Sequence, residues 1–367
     1  MPLNKNSSPR AKDTDLLTLF KAHLGKDFHL ARIRLICLFV SALCKVRSVN
    51  YVKVSQGFDS SSLASSCMRR IQRFMAEAEL PMKVVSLLIF SILPVKGKLI
   101  LVMDRTNWKF GESNINILML DVSYRNVAIP LMFKMLDKRG DSNTAERIAL
   151  IQDFINWSGA DRIDCLLADR EFVGDKWLEF LNRNQIRYHI RIRNNFKVFL
   201  PRKQMEIKVS HLFASLGMHQ FTHYRYIVRM GKELCYLSAT KIFTDDKAEF
   251  FILVPFNKPE ESFEYYRERW SIETCFRGMK SSGFNIEDTH VTALDRLEKL
   301  VLLTMIAFAY CYRIGDYIDR EIKPITIKTH GRKAVSVFKY GLDYLAKWLL
   351  TGYNNLEINL KQVLSCT

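Results

Sequence analysis

At 367 residues, with 48% hydrophobic and 25% charged residues, the chain has the length of two or three globular domains and the composition of a soluble, folded protein. Fifty-five Lys and Arg against 38 Asp and Glu give a formal charge of +17, which favours a polyanionic partner. No apolar run approaches the roughly 20 residues that span a bilayer, MPLNKNSSPRAKDTD lacks a signal-peptide core, and the eight cysteines form no C-x-x-C pair, so a cytoplasmic protein with reduced thiols and no membrane is expected.

The first 95 residues read as a helical, DNA-binding domain. Apolar positions recur at helical spacing through Leu16, Leu17, Phe20 and Leu24, and again through Leu35, Ile36, Phe39, Val40 and Leu43. Asp59-Ser60-Ser61-Ser62 resembles an N-cap before a helix carrying Arg69, Arg70 and Arg73. The segment is net basic, and a solvated packing domain is the competing reading.

From Lys98 the pattern turns to strands. Leu99 to Met103 is a short apolar strand expected to end at Asp104. Ile115 to Val122 and Val127 to Phe133 follow, joined by a turn at Tyr124-Arg125-Asn126. A helix over about Thr144 to Trp157, a strand from Ile163 to Ala168 closed by Asp169, and a helix around Lys176 to Asn182 complete an α/β layer with a mixed sheet. Residues 186–247 interrupt the alternation as a basic insertion of antiparallel strands, including Tyr188 to Arg193, His223 to Met230 and Glu233 to Ala239. His219 and His223 lie there four apart, without the nearby cysteines that a zinc site would add. Phe250 to Val254 then returns as a strand, and residues 291–360 are mostly helical, with Leu300 to Tyr312 a buried helix.

Asp104 and Asp169 share a local grammar: an apolar strand, the acid, then Arg, in LVMDR and LLADR. Acids at the C-terminal ends of neighbouring strands converge on one sheet edge, and hard oxygen ligands without His or Cys suit Mg²⁺ or Mn²⁺. Either Asp alone also reads as a turn or capping residue. In YYRERWSIETCFRGMK the residues Tyr266, Arg269, Glu273 and Lys280 are spaced Tyr-x2-Arg-x3-Glu-x6-Lys. On one continuous helix those steps place the four side chains within roughly 60° of one another. One face would then carry a carboxylate, two cations and a phenol. Glu273 supplies a third metal ligand in that reading, or simply pairs with Arg269 or Arg277 at helical spacing.

With these residues the chain resembles bacterial insertion-sequence transposases of the DDE type, in the branch defined by the Y-(2)-R-(3)-E-(6)-K signature. The resemblance implies a ribonuclease H-like mixed sheet flanked by helices, over 96–185 and 248–325, with the β-strand insertion at 186–247. It also implies a helical C-terminal region, 326–367, available for dimerisation. Asp104, Asp169 and Glu273 would be catalytic and would hold two Mg²⁺ ions, with Mn²⁺ able to substitute. Tyr266, Arg269 and Lys280 would contact DNA phosphates. The partners implied are double-stranded DNA, as terminal inverted repeats and target, and a second copy of the chain in the synapse. Relatives that cut through a hairpin place a Trp in the insertion to hold a flipped base; here no Trp occurs between Trp177 and Trp270, leaving Phe243, Phe250 and Tyr236 as aromatic faces. A ribonuclease H-like nuclease without strand transfer, and a transposase-derived DNA-binding regulator, are the alternatives. Arg105 and Arg170 approach DNA or pair with nearby acids, and Trp270 and Phe276 are expected to pack their helix against the core.

Overall fold

A computed structural model describes residues 12–351 apart from 94, 111–112, 245–246 and 330, together with residue 363. The polar N-terminal stretch up to residue 11, and the expected helical residues beyond 351 other than 363, lie outside the described residues. Five helices come first: α1 (Lys12–Leu24), α2 (Leu30–Val46), α3 (Tyr51–Gln56), α4 (Ala64–Glu77) and α5 (Met82–Ile92). Strands β1 (Leu99–Phe110), β2 (Ser113–Tyr124) and β3 (Val127–Met135) precede α6 (Thr144–Ser158), β4 (Ile163–Ala168) and α7 (Asp175–Arg183). Then come β5 (Tyr188–Ile192), β6 (Lys197–Leu200), β7 (Met205–Lys208), α8 (Val209–Leu212), β8 (Phe221–His223), β9 (Val228–Met230), β10 (Glu233–Cys235), β11 (Ser238–Thr244) and β12 (Lys247–Pro255). The chain closes on α9 (Ser262–Tyr266), α10 (Ser271–Met279), α11 (Leu294–Tyr317) and α12 (Val337–Thr351). Two compact units result: Met1–Val95, Trp108–Ser113 and Thr274–Thr367 form one, and Lys96–Asn107 with Asn114–Glu273 form the other.

The first unit is helical and built around α11. A helix that is apolar on every side must be surrounded, and α11 is buried almost continuously from Leu297 to Asp316 against α2, α4, α5 and α12. Its interior charges have partners: the Lys299 ammonium donates to the Ala78 carbonyl at 3.1 Å, and Asp316 lies 3.7 Å from Arg320. No helix among the described residues is long and apolar enough to cross a membrane. The seven described cysteines are buried and form no disulfide. One expected cap is displaced. α4 starts at Ala64 after Leu63, which offers no side-chain cap, because Asp59 is paired with Lys45 at 2.7 Å and Ser60 Oγ accepts the Ser62 N–H at 3.2 Å. The acid that would have capped the helix is drawn to a half-buried cation instead.

The second unit carries an eight-stranded mixed sheet in the order β3-β2-β1-β4-β5-β12-β11-β8, beside a four-stranded sheet, β10-β9-β6-β7. β1–β4 and β4–β5 are parallel, whereas β5–β12, β12–β11, β11–β8 and β2–β3 are antiparallel. Strands buried on both faces read as unbroken apolar runs, and β4 (IDCLLA) with the first half of β1 (LILVM) does so. Tyr188 to Arg193, expected as part of an antiparallel insertion, is instead a parallel partner of β4, and β8, β11 and β12 extend the same sheet. The reason is burial: Tyr188, His189 and Ile190 are all 0–1% exposed, so this strand has two covered faces and belongs in the interior of the sheet. α6 enters through a capping box, Asn143 accepting from the Glu146 N–H at 2.9 Å while Glu146 accepts from the Asn143 N–H at 2.7 Å.

Candidate active site

Asp169 follows β4 directly, as its sequence setting requires. Asp104 does not end its strand: β1 continues six residues further, to Phe110. What ends at Asp104 is the parallel pairing, whose last register pair is Met103 with Ala168. In the sheet order β1 lies between β2 and β4. The two acids therefore occupy adjacent positions one step past the same register pair, which is what convergence on one sheet edge demands.

Their surroundings differ. Asp104 Oδ1 accepts the Arg105 N–H at 2.7 Å and Oδ2 accepts from Arg269 at 3.0 Å. Burial pushes its carboxyl up to about 6; Arg269 and the Arg105 N–H oppose the rise, while the charges of Asp169 and Glu171 add to it. Asp169 Oδ1 is buried without a hydrogen-bond partner, with the Arg191 guanidinium 3.9 Å away. A buried carboxylate oxygen left with lone pairs free is costly unless something cationic uses it.

The Tyr/Arg/Glu segment is not one helix. α9 ends at Tyr266, a 3₁₀ turn covers Arg267–Trp270, and α10 begins at Ser271. Tighter winding brings side chains three apart into line, so Tyr266 and Arg269 stay on one side, the Arg269 guanidinium 5.9 Å from the Tyr266 ring centre. Tyr266 is 1% exposed and its hydroxyl donates to the Ala168 carbonyl at 3.3 Å, immediately before Asp169. Its hydroxyl is thereby turned toward the backbone that leads into Asp169. Burial raises its phenol well above the usual range. Arg269, 7% exposed, donates to Asp104 and, at 3.0 Å, to Glu273. Burial pulls its guanidinium down, yet the charges around it, Tyr266, Asp104, Asp169 and Glu273, raise it overall. The helical pairing of Glu273 with Arg269, one of the two readings open from spacing, is thus realised, and the same arginine extends it to Asp104. Lys280 belongs to the other unit, past the end of α10, where it pairs with Glu287 at 2.7 Å and lies 5.7 Å from the Trp108 ring centre.

Behind the acids lies a network that sequence spacing did not reveal. Arg105 donates to Glu171 at 3.3–3.4 Å, to Asn116 at 3.1 Å and to Asp141 at 3.0 Å. Asn116 in turn donates to the Lys138 and Gly140 carbonyls at 3.0 and 2.9 Å. The only sequence signal was the repeated Asp-Arg pair with Glu171 after the second. Removing Arg105 strands a half-buried carboxylate and an amide, so Arg105→Ala is expected to lower stability by about 2 kcal/mol, measured by urea unfolding of the full chain. Trp270, expected to pack inward, is 47% exposed and packs edgewise on Tyr266 and at a tilt on Phe251, at centroid distances of 6.0 and 6.2 Å. Among the candidate base-stacking aromatics, Phe243 is 63% exposed near the end of β11, while Phe250 is half-buried beside Lys241.

The model of the transposase DDE domain matches residues 96–311, more than half of the chain. The chain belongs to the transposase DDE domain family. The mixed sheet with its flanking helices is the ribonuclease H-like architecture expected of such a domain. A search of curated proteins returns no match.

DDE transposases typically use divalent metals. The residues present fit such an ion in kind: all donors are carboxylate oxygens, and the buried Asp169 Oδ1 makes no hydrogen bond, the Arg191 guanidinium standing 3.9 Å away. In arrangement they are not yet a cage. Among the described residues no group of three His, Cys, Asp or Glu side chains is placed to hold a metal, and it is the Arg269 guanidinium that joins Asp104 to Glu273.

Proposed function

We propose that this transposase binds the ends of its insertion sequence, cleaves phosphodiester bonds there and joins the resulting 3′-hydroxyls to target DNA. The supporting observation is the placement of Asp104 and Asp169 one step past a shared register pair, with Arg269 linking Asp104 to Glu273. Asp104, Asp169 and Glu273 would hold two Mg²⁺ ions, or Mn²⁺, which when bound would polarise the scissile phosphate and favour ionisation of the attacking oxygen. The protein's own contributions are distinct. The Arg269 fork and the Lys280 point charge are suited to phosphate oxygens. Tyr266 steadies the Ala168 carbonyl and through it the position of Asp169. A second copy of the chain would complete the synapse of two DNA ends, and the cytoplasm is the site of action.

The test is cleavage and strand transfer on duplex DNA carrying the element's own terminal repeats. Joined products support the proposal. Nicked DNA without joining, under conditions where two ends are held together, would assign a nuclease, and tight binding with no metal-dependent cleavage a regulator.

Cation uptake should follow the Asp104 carboxyl. Its value near 6 means that it takes a proton as pH falls through 6, where an ordinary carboxylate stays ionised to about pH 4. Mn²⁺ binding by the full chain is therefore expected to be level between pH 7 and 8 and to weaken steadily below about pH 6. Titration of free Mn²⁺ by electron paramagnetic resonance measures this, and affinity unchanged down to pH 5 would contradict it.

DNA contact by the N-terminal helices rests on α4. Arg69 and Arg73 are exposed on it, four residues apart, and neither makes an ion pair among the described residues. Replacing either with Ala is expected to weaken duplex binding about equally across sequences and to reduce the slope of log K against log salt by about 1.

A further inference from the structure

We propose that Arg269 is a lock on the metal site, holding Asp104 and Glu273 until a DNA phosphate takes its guanidinium, so that metal uptake depends on bound DNA. The proposal rests on the reading of Asp104, Asp169 and Glu273 as metal ligands.

The geometry is that of an occupied cation site. One guanidinium nitrogen lies 3.0 Å from Asp104 Oδ2 and another lies 3.0 Å from Glu273 Oε1. The remaining Asp104 oxygen already accepts the Arg105 N–H. Both Asp104 oxygens are therefore engaged, and Glu273 is joined to Asp104 through the arginine. A divalent ion needs the same lone pairs at about 2.0–2.2 Å and would also meet a fixed positive charge beside it. The two cations compete for these carboxylates. This competition accounts for Asp104 and Glu273 being joined by an arginine where, among the described residues, no group of three acids is placed to hold a metal.

The lock has a natural key. A guanidinium fork pairs with two phosphate oxygens as readily as with carboxylate oxygens. Arg269 sits in the short 3₁₀ turn between α9 and α10, beside the half-exposed Trp270 ring, with its centroid 5.9 Å away. Its Nε is buried without a hydrogen-bond partner, so the present pairing leaves that donor unused. A backbone phosphate arriving at the site offers the arginine a partner and returns both carboxylates to the metal. Coupling of this kind is reciprocal: if DNA tightens metal binding, metal tightens DNA binding by the same factor. The chain would then carry no loaded hydrolytic centre while away from DNA.

The experiment measures Mn²⁺ affinity by electron paramagnetic resonance at pH 8, using the full chain with and without a duplex of its terminal repeat. Without DNA, Arg269→Gln is expected to bind Mn²⁺ at least tenfold more tightly than wild type. With DNA, wild type should gain at least tenfold and Arg269→Gln less than twofold. Equal gains in both proteins would make Arg269 a bystander cation and overturn the lock, as would unchanged affinity in the variant without DNA. Arg269→Lys, which keeps the charge and loses the fork, is the second variant should the Gln protein fail to fold, and should shift in the same direction. Asp104→Asn and Asp169→Asn separate the two levels. If they leave Mn²⁺ binding intact, the metal-site reading itself fails; if they abolish it while the Arg269 variants do nothing, only the lock fails.

Discussion

Asp104→Asn, Asp169→Asn and Glu273→Gln are each expected to reduce DNA cleavage and joining by about 10³-fold or more, with the fold retained. The substitutions are nearly isosteric and exchange an oxygen donor with a full charge for a neutral amide. Asp104→Asn also removes the carboxylate that burial makes costly to ionise, so the variant should be no less stable than wild type. Loss of activity without loss of stability marks a group placed for chemistry. Asp169→Asn leads to the same expectation by another route, since its buried Oδ1 has no hydrogen-bond partner to lose. Glu273→Gln keeps an oxygen for Arg269 but weakens the pairing from charged to neutral. Single-turnover cleavage assays beside thermal unfolding curves check all three, and full activity in any one removes that residue from the catalytic set.

Gly341→Ala carries the second large effect, in the opposite unit. Both Gly315 of α11 and Gly341 of α12 are helical, and in an exposed helix Gly→Ala would stabilise by about 1 kcal/mol. Here the two glycines face each other across the helix contact. A Cβ on Gly341 would fall on the Cys311 carbonyl oxygen and come within 2.6 Å of the Gly315 nitrogen; one on Gly315 would fall on the Val337 carbonyl oxygen. These are backbone atoms, which no side-chain rotation can move aside. The helices must separate, disturbing the Phe308–Phe338 stack at 4.3 Å and the edge contact of Phe284 on Phe338 at 5.6 Å. Overpacking of this kind outweighs helix propensity, and a net loss of about 3 kcal/mol is expected, read as a fall in urea midpoint. A gain in stability would mean that α11 and α12 do not pack through their glycines.

Much of the fold was legible because local patterns carry it. The helix expected over about Thr144 to Trp157 runs Thr144–Ser158, and the apolar residues that signal it lie within a few positions of one another. β4 announced itself as an unbroken apolar run ending in Asp169. The strand at Tyr188–Ile192 was legible as a strand but not as a parallel one, because strand direction is set by the partner and β4 lies about twenty residues earlier in the chain. The break in the Tyr/Arg/Glu helix was hidden for a related reason. No Pro or Gly interrupts YYRERWSIE, and the 3₁₀ turn accompanies the burial of Tyr266 against Phe251 and Leu253, and of Arg269 against two acids.

Residue types and their covalent spacing were sufficient for the family and the basic charge, since these depend on which groups are present and in what order. Tertiary structure alone decided that Asp104 sits where parallel pairing stops and not where its strand stops. It also turned the Tyr266 hydroxyl toward the Ala168 carbonyl and set one arginine between Asp104 and Glu273. Those outcomes join residues 98 to 169 positions apart or depend on strand register. They are set by simultaneous burial and charge pairing, which a local pattern of residues does not encode.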